Sequence, residues 1–225
     1  MATSMSEVTR PISDPASRIG HTRDRLLRDG VILCIRLGED DPVLECCQAA
    51  ARGGLRTLEV TLTTPNALHV IQTLAPREDL LVGAGTVLNR QAVRSVARAG
   101  GRFVLSPVFD PEVFEEARRV GLLAIPGAAT PKEVLAAFRA GASIVKIFPA
   151  GALGGPAFLR AVRGPLPDIP LIPTSGPTSE TIADYVAAGA VAVGVGAEVF
   201  PPGYTIESVE QAARRVREAM DRTRA

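Results

Sequence analysis

Lys146 is one of only two lysines in the chain; the other 23 of its 25 basic residues are arginines. It stands inside Ser143-Ile144-Val145-Lys146-Ile147-Phe148-Pro149, a short β-branched apolar run whose composition predicts a buried strand. A charge in such a place is costly unless it is paired or neutralised. Arginine stays charged in proteins, whereas a buried lysine can give up its proton. A neutral amine in an apolar slot attacks carbonyls and forms a Schiff base. The structural alternative is a strand-end lysine that snorkels to solvent or pairs with a carboxylate. Lys132 differs: it follows Thr130-Pro131 and precedes Glu133, which reads as the exposed first turn of a helix.

Glu59 raises the same question. It lies in the apolar run Leu58-Glu59-Val60-Thr61-Leu62, and carboxylates are rarely buried there without a partner. Thr57 and Thr61 share its strand face by the period of two. It reads either as a structural ion pair with Lys146 or Arg36, or as a general base whose pKa burial raises. Together, a buried lysine, a buried carboxylate and an arginine make a kit for keto-acid chemistry. The lysine condenses with the ketone and the glutamate moves protons. Arg36, or backbone amides near Gly85, holds a carboxylate.

These residues need a scaffold, and the chain has a rhythm that supplies one. Ala/Arg-rich helical stretches end in glycine and are followed by short apolar strands, as in Ala51-Arg52-Gly53-Gly54 before Leu55–Val60 and Arg139-Ala140-Gly141 before Ser143–Ile147. Glycine supplies the left-handed residue after a helix. The near-continuous apolarity of the strands suits a parallel sheet covered on both faces. Eight strands are expected, starting near Val31, Leu55, Leu80, Phe103, Leu122, Ser143, Pro170 and Val191, with a last helix from about Ile206 to Arg222. Eight such units in this length predict an α/β fold, a (β/α)8 TIM barrel, as a single domain over residues 17–225 with a short N-terminal helix. Residues 1–16 read as a disordered lead-in. A doubly wound open sheet is the rival architecture, but Arg36-Leu37-Gly38-Glu39-Asp40 stands where a Gly-x-Gly-x-x-Gly would follow the first strand.

In such a barrel the chemistry gathers at the C-terminal strand ends. Those ends carry Arg36, Glu59, Gly85-Thr86, Ser106-Pro107, Pro126-Gly127, Lys146, Thr174-Ser175-Gly176 and Gly194-Val195-Gly196-Ala197. The last two, rich in glycine, suit either a phosphate site built of backbone amides or simple tight turns.

Bulk properties narrow the partners. A net charge of +1 gives no reason to expect nucleic acid or an anionic membrane. No apolar run approaches a membrane span, and Met1–Pro15 lacks the apolar centre of a signal peptide. Cys34, Cys46 and Cys47 are odd in number and without metal-ligand spacing, which suits reduced thiols in a cytoplasmic protein. His21 lies in the lead-in or the first helix and His69 in a helical stretch, so no metal site is expected, and no cofactor motif is read in the chain.

The segments Leu58-Glu59-Val60-Thr61, Val82-Gly83-Ala84-Gly85-Thr86-Val87-Leu88, Leu105-Ser106-Pro107, Ile125-Pro126-Gly127, Val145-Lys146-Ile147-Phe148-Pro149-Ala150 and Ile172-Pro173-Thr174 occur in an order that resembles the 2-keto-3-deoxy-6-phosphogluconate (KDPG) and 6-phosphogalactonate aldolases. The resemblance covers roughly residues 20 to 220. It implies a metal-free class I aldolase on a (β/α)8 barrel, usually a homotrimer, acting on a small-molecule substrate. Lys146 matches the Schiff-base lysine and Glu59 the general acid/base. Arg36, Gly85, Thr86, Pro107, Phe148 and Thr174 fall around the keto-acid end of the substrate, and Ser175, Gly176, Gly194, Gly196 and Ala197 around its phosphate. The implied reaction splits a 2-keto-3-deoxy-4-hydroxy acid into pyruvate and an aldehyde, with KDPG as the leading substrate. The alternatives are 4-hydroxy-2-oxoglutarate, the 6-phosphogalactonate analogue or an unphosphorylated keto-deoxy acid. A barrel that binds a keto acid or phosphate without turnover is the non-enzymatic rival. Two departures fall at the phosphate end: Ser175 stands where the family usually has glycine, and Ala197 where it usually has serine. Thr63 stands where many members carry arginine. Phosphate recognition is therefore expected to be weakened while the lysine chemistry stays intact.

Overall fold

The computed structural model describes residues 14–224. The described residues form nine strands, which alternate with helices except that β6 directly follows β5: β1 (Val31–Ile35), β2 (Thr57–Thr61), β3 (Leu81–Gly85), β4 (Phe103–Leu105), β5 (Leu123–Ile125), β6 (Gly127–Ala128), β7 (Val145–Ile147), β8 (Leu171–Pro173) and β9 (Val193–Val195). The helices are α1 (Pro15–Asp29), α2 (Val43–Arg52), α3 (Ala67–Leu74), α4 (Arg90–Arg98), α5 (Pro111–Arg119), α6 (Pro131–Arg139), α7 (Gly155–Arg163), α8 (Ile182–Ala187) and α9 (Ile206–Arg222). All strand pairings are parallel. One sheet runs β5-β4-β3-β2-β1-β9 and the other β6-β7-β8. Isolated parallel bridges, Leu171↔Ala190 and Thr174↔Gly194, link the β8 end of the second sheet to the β9 end of the first. The result is an α/β fold with a curled parallel sheet.

Alternation along the strands divides the core in two. Leu33, Ile35, Leu58, Val60, Val82, Ala84, Val145 and Ile147 pack outward with the helices. Ile32, Leu81, Phe103, Leu105, Leu123, Ile125 and Ile172 fill the concave side, which Leu26 of α1 helps to cover. Each strand therefore offers alternate positions to the concave side, and there the sequence changes from apolar to functional towards the strand ends.

Eight of the nine strands lie where the sequence predicts them, but several start up to two residues late. The cause is a shared helix ending. Leu55 N–H donates to Ala50 O and Ala142 N–H to Ala137 O across Gly54 and Gly141, both at φ 98°. The residue after the left-handed glycine still belongs to the helix cap, so the strand begins beyond it. The sequence reading did not anticipate β6, a two-residue pairing just past Pro126. The helix starts are sharply specified: the Asp14 carboxylate accepts from Ser17 N–H, and Thr130 with Glu133 forms a capping box that places Lys132 in an exposed first turn. The expected lead-in lies outside the described residues up to residue 13. Its boundary moves: Asp14 is an N-cap and Pro15 opens a 15-residue α1, so helix begins inside the stretch assigned to the lead-in.

Candidate active site

Lys146, on β7, points to the concave side with only 6% of its surface exposed. Glu59, central in β2, is 1% exposed. Lys146 Nζ lies 3.8 Å from Glu59 Oε1, and Glu59 Oε2 has no hydrogen-bond partner among the described residues. Burial pushes the Glu59 carboxyl above its ordinary value of 4.5, opposed by the nearby Lys146 and Arg36 charges. The predicted ion pair therefore exists, with Lys146 as the partner. The carboxylate is thus buried beside the lysine without a side-chain hydrogen bond among the described residues, a condition that calls for an explanation.

The pair depends on a glycine. A Cβ on Gly85 would overlap Glu59 Oε1 and stand 2.7 Å from Glu59 Cδ. Gly85 thus makes room for the carboxylate; it belongs to Glu59's packing and does not line the cavity on which Lys146 opens. That cavity, of about 580 Å³, is walled by Arg36, Lys146, Phe148, Thr174, Ser175, Gly194, Gly196 and Ala197, together with Cys34 and Phe200. Lys146 Nζ sits 5.1 Å from the centre of the Phe148 ring.

Arg36, just past β1, donates from Nη1 to Thr63 Oγ1 at 2.6 Å and from Nη2 to Thr86 Oγ1 at 3.0 Å. A guanidinium has five N–H donors in a planar fork, so most remain free for a carboxylate. Thr86 acts through Arg36: its backbone is held at φ 58°, and its hydroxyl accepts from the fork. Thr63 does the same from the position where the family often carries arginine. Thr174 lines the cavity with a buried Oγ1 that has no partner among the described residues, and a Cβ on Gly194 would collide with its methyl group.

Besides Glu59 and Thr86, which act on Lys146 and Arg36 from behind the wall, three expected residues stand off it. Pro107 presents its carbonyl to Gly127, and Gly176 packs against Gly151 and the Tyr185 hydroxyl. Gly85 is the third, for the reason above. In compensation, two wall residues escaped the sequence reading. Cys34 lies two residues before Arg36 on the same strand face, a spacing that does signal it. Burial pushes its thiol up to about 12, so it is neutral. Phe200 packs edge-on against Tyr204, with ring centres 5.6 Å apart; Tyr204 donates to Asp41 Oδ1 at 2.6 Å, and the other Asp41 oxygen accepts from Gly38 N–H. This link ties the segment after β9 to the segment that carries Arg36, and nothing local in the sequence announces it.

Ser175, on the cavity wall, adopts φ 59°, a left-handed conformation that favours glycine. Ala197 is exposed at the mouth. Glu198, one residue on, accepts from Ser179 N–H at 2.6 Å and from the Ser179 hydroxyl. Among the described residues no group of three or more His, Cys, Asp or Glu side chains is arranged to hold a metal, and no helix is long and apolar enough to cross a membrane.

Residues 23–214 match the family model described as KDPG and KHG aldolase. The chain belongs to that family. It is 36% identical to the 2-dehydro-3-deoxy-phosphogluconate aldolase of Pseudomonas aeruginosa, over 88% of this chain and 92% of that one. A probable 2-dehydro-3-deoxy-6-phosphogalactonate aldolase of Rhizobium meliloti is 38% identical over 71% of this chain and 76% of that one. Among solved structures, the KDPG aldolase of Legionella pneumophila, with pyruvate captured as a covalent carbinolamine intermediate, superposes with a TM-score of 0.77 at 28% identity, covering 91% of this chain and 98% of that one.

Proposed function

We propose that the protein is a pyruvate-forming class I aldolase, with Lys146 as the covalent residue and Glu59 as the proton carrier. The observation that carries this reading is the buried Lys146–Glu59 pair, 3.8 Å apart, beside a cavity that also presents the Arg36 fork. Lys146 Nζ, as the free amine, adds to the C2 ketone of the substrate. The carbinolamine loses water to give an iminium. Glu59, directly or through a water, takes the C4 hydroxyl proton; the C3–C4 bond breaks, the aldehyde leaves, and the bonding electrons move into the iminium to give an enamine. Protonation at C3 and hydrolysis then release pyruvate and restore the amine. The lysine serves as the electron sink, so the reaction asks for no cofactor. Arg36, steadied by Thr63 and Thr86, holds the substrate carboxylate, while Phe148 and Thr174 border the keto acid.

The leading substrate is KDPG, split to pyruvate and glyceraldehyde 3-phosphate, in keeping with the names of the relatives. Strained Ser175, Ala197 without a hydroxyl, and the Glu198 carboxylate beside them favour a second reading: the same chemistry on an aldehyde half with a weaker or absent phosphate, as in 4-hydroxy-2-oxoglutarate. Gly176, Gly194 and Gly196 remain candidates for amide contacts to an anion. We also take the two sheets as one (β/α)8 barrel, supported by the bridges between the β8 and β9 ends and by chain continuity across Pro126. A homotrimer is the assembly the family resemblance implies, and the three cysteines, odd in number, suit a cytoplasmic location.

Reduction with borohydride in the presence of pyruvate tests the assignment. Peptide mapping should find the adduct on the Lys146 peptide and none on Lys132. Retention of normal aldolase activity by Lys146→Met would sink it, and absence of any adduct on the wild type would favour a non-catalytic binder.

A further inference from the structure

A second cavity lies at the opposite end of the strands. It measures about 500 Å³, and its wall includes Arg18, His21, Arg25, Arg77, Glu78 and Arg102. Arg102 immediately precedes β4, and Leu81, also on the wall, opens β3. Gly85, at the other end of β3, touches Glu59. Leu81 and Gly85 are thus about 13 Å apart along the strand at roughly 3.3 Å per residue, and the two cavities share no wall residue.

The charges here are unequal. Arg77 is committed to Asp79 at 2.7 Å. Arg18, Arg25 and Arg102 take part in no ion pair among the described residues. Glu78 is the single carboxylate on the wall. Arg18 is the most constrained: its guanidinium packs over Gly121, where a Cβ would stand 2.6 Å from Nη2, and its Nε is buried without a hydrogen-bond partner among the described residues. An arginine cannot neutralise itself by losing a proton. Arg18 thus carries donors that no acceptor among the described residues takes up, and its guanidinium stands on the cavity wall with those of Arg25 and Arg102. A smaller neighbouring cavity of about 400 Å³ shares Arg18 and Arg102 and adds Arg98, extending the positive lining.

We propose that this cavity is an anion site distinct from the aldolase centre, and that it takes a phosphate group carried by a small metabolite or free in solution. Guanidinium forks match phosphate oxygens in pairs. Three uncommitted forks from α1 and the approach to β4 can surround one phosphate, and the volume falls within the range of small-molecule sites. Because the wall is shared between α1 and the strands, the ligand clamps α1 onto the end of the sheet.

Calorimetric titration of the full chain with inorganic phosphate, 3-phosphoglycerate and malonate tests this, using wild type, Arg18→Gln and Arg102→Gln. The expected result is a phosphate-binding component that each variant weakens about 10-fold, the order of one charged hydrogen bond. Pyruvate release from a keto-deoxy acid should stay within twofold of wild type. Tighter binding of 3-phosphoglycerate than of phosphate, lost in both variants, identifies a phosphorylated metabolite; equal binding identifies the free ion. Should Arg18→Gln fail to fold, Arg102→Gln and Arg25→Gln carry the same test. Titrations unchanged by the variants, no phosphate binding at all, or malonate binding as tightly as phosphate would overturn the proposal.

Discussion

Gly85→Ala separates the position of the Glu59 carboxylate from its presence. The new Cβ would overlap Glu59 Oε1 and lie 2.7 and 2.8 Å from Glu59 Cδ and Cγ. Ordinary contacts are longer, so the carboxylate must withdraw by about an ångström from its place 3.8 Å from Lys146 Nζ. At an effective dielectric constant near 20, stretching the pair to about 5 Å forfeits roughly 1 kcal/mol of attraction. Overpacking in a filled interior adds about 1–3 kcal/mol. A domain of this size should then melt lower by several degrees, at about 2–4 °C per kcal/mol. The catalytic effect is separate: a misplacement of about 1 Å can cost on the order of 10²-fold in rate. Pyruvate release followed with a coupled dehydrogenase should show kcat down by about that factor, while borohydride still traps pyruvate on Lys146. If the variant melts lower yet turns over within threefold of wild type, the carboxylate's position does not matter to the chemistry, and Glu59 is a structural partner of the lysine.

Glu59→Gln should keep the Schiff base and lose turnover by roughly the 10²–10⁴-fold of general acid–base catalysis; turnover within a fewfold of wild type refutes the role. The same variant has a stability signature. Because burial raises the folded-state pKa of Glu59, its stabilising protonated form is fully present below the ordinary carboxyl value of 4.5 and lost as pH rises through the raised value. Melting curves should therefore shift in favour of the Gln variant as pH rises across that window, and a pH-independent difference would contradict the burial argument. EDTA should leave activity intact, since the lysine does the work of a Lewis acid; loss of activity restored by a divalent ion would overturn the class I assignment. Ala197→Ser should selectively raise kcat/KM for phosphorylated keto-deoxy acids by about 10–100-fold, the worth of a hydroxyl bonded to a charged group; equal effects on phosphorylated and unphosphorylated substrates would mean that this loop does not read the phosphate.

Much of the fold was legible because its determinants are local. The helix–glycine–strand rhythm is a cap motif repeated along the chain, and α9 begins at Ile206 and ends at Arg222 as periodicity and capping predict. Lys146 and Glu59 were legible because a charge in an apolar strand is anomalous by itself. What stayed hidden depends on contacts between distant segments. The Asp41–Tyr204 link spans 163 residues and the Glu198–Ser179 contact crosses between loops. Gly127–Ala128 follows a proline and reads as a turn, yet it pairs with β7. Gly85 was legible as a site residue but not in its role, because the reason for its missing side chain is a carboxylate on the neighbouring strand.

The division between strand and loop also orders the departures from the family pattern. Lys146 and Glu59 are fixed in paired strands, and the missing side chain of Gly85 gives the Glu59 carboxylate its place beside the lysine. Ser175 and Ala197 sit in the segments after β8 and β9, where a change of side chain need not disturb the sheet. Holding Ser175 in a left-handed conformation costs roughly 1–2 kcal/mol that glycine would not incur, and the Ser179 N–H and hydroxyl are taken up by Glu198, the residue after Ala197. Ala197 removes a hydroxyl. Ser175 and Ala197 stand on the wall of the cavity on which Lys146 opens, and on the proposed reading both act in one direction, against a tightly held phosphate. On the proposed reading, the carbon–carbon chemistry and the choice of aldehyde are carried by separable parts of the fold, and substitutions in the two loops should retune the substrate while the reaction stays the same.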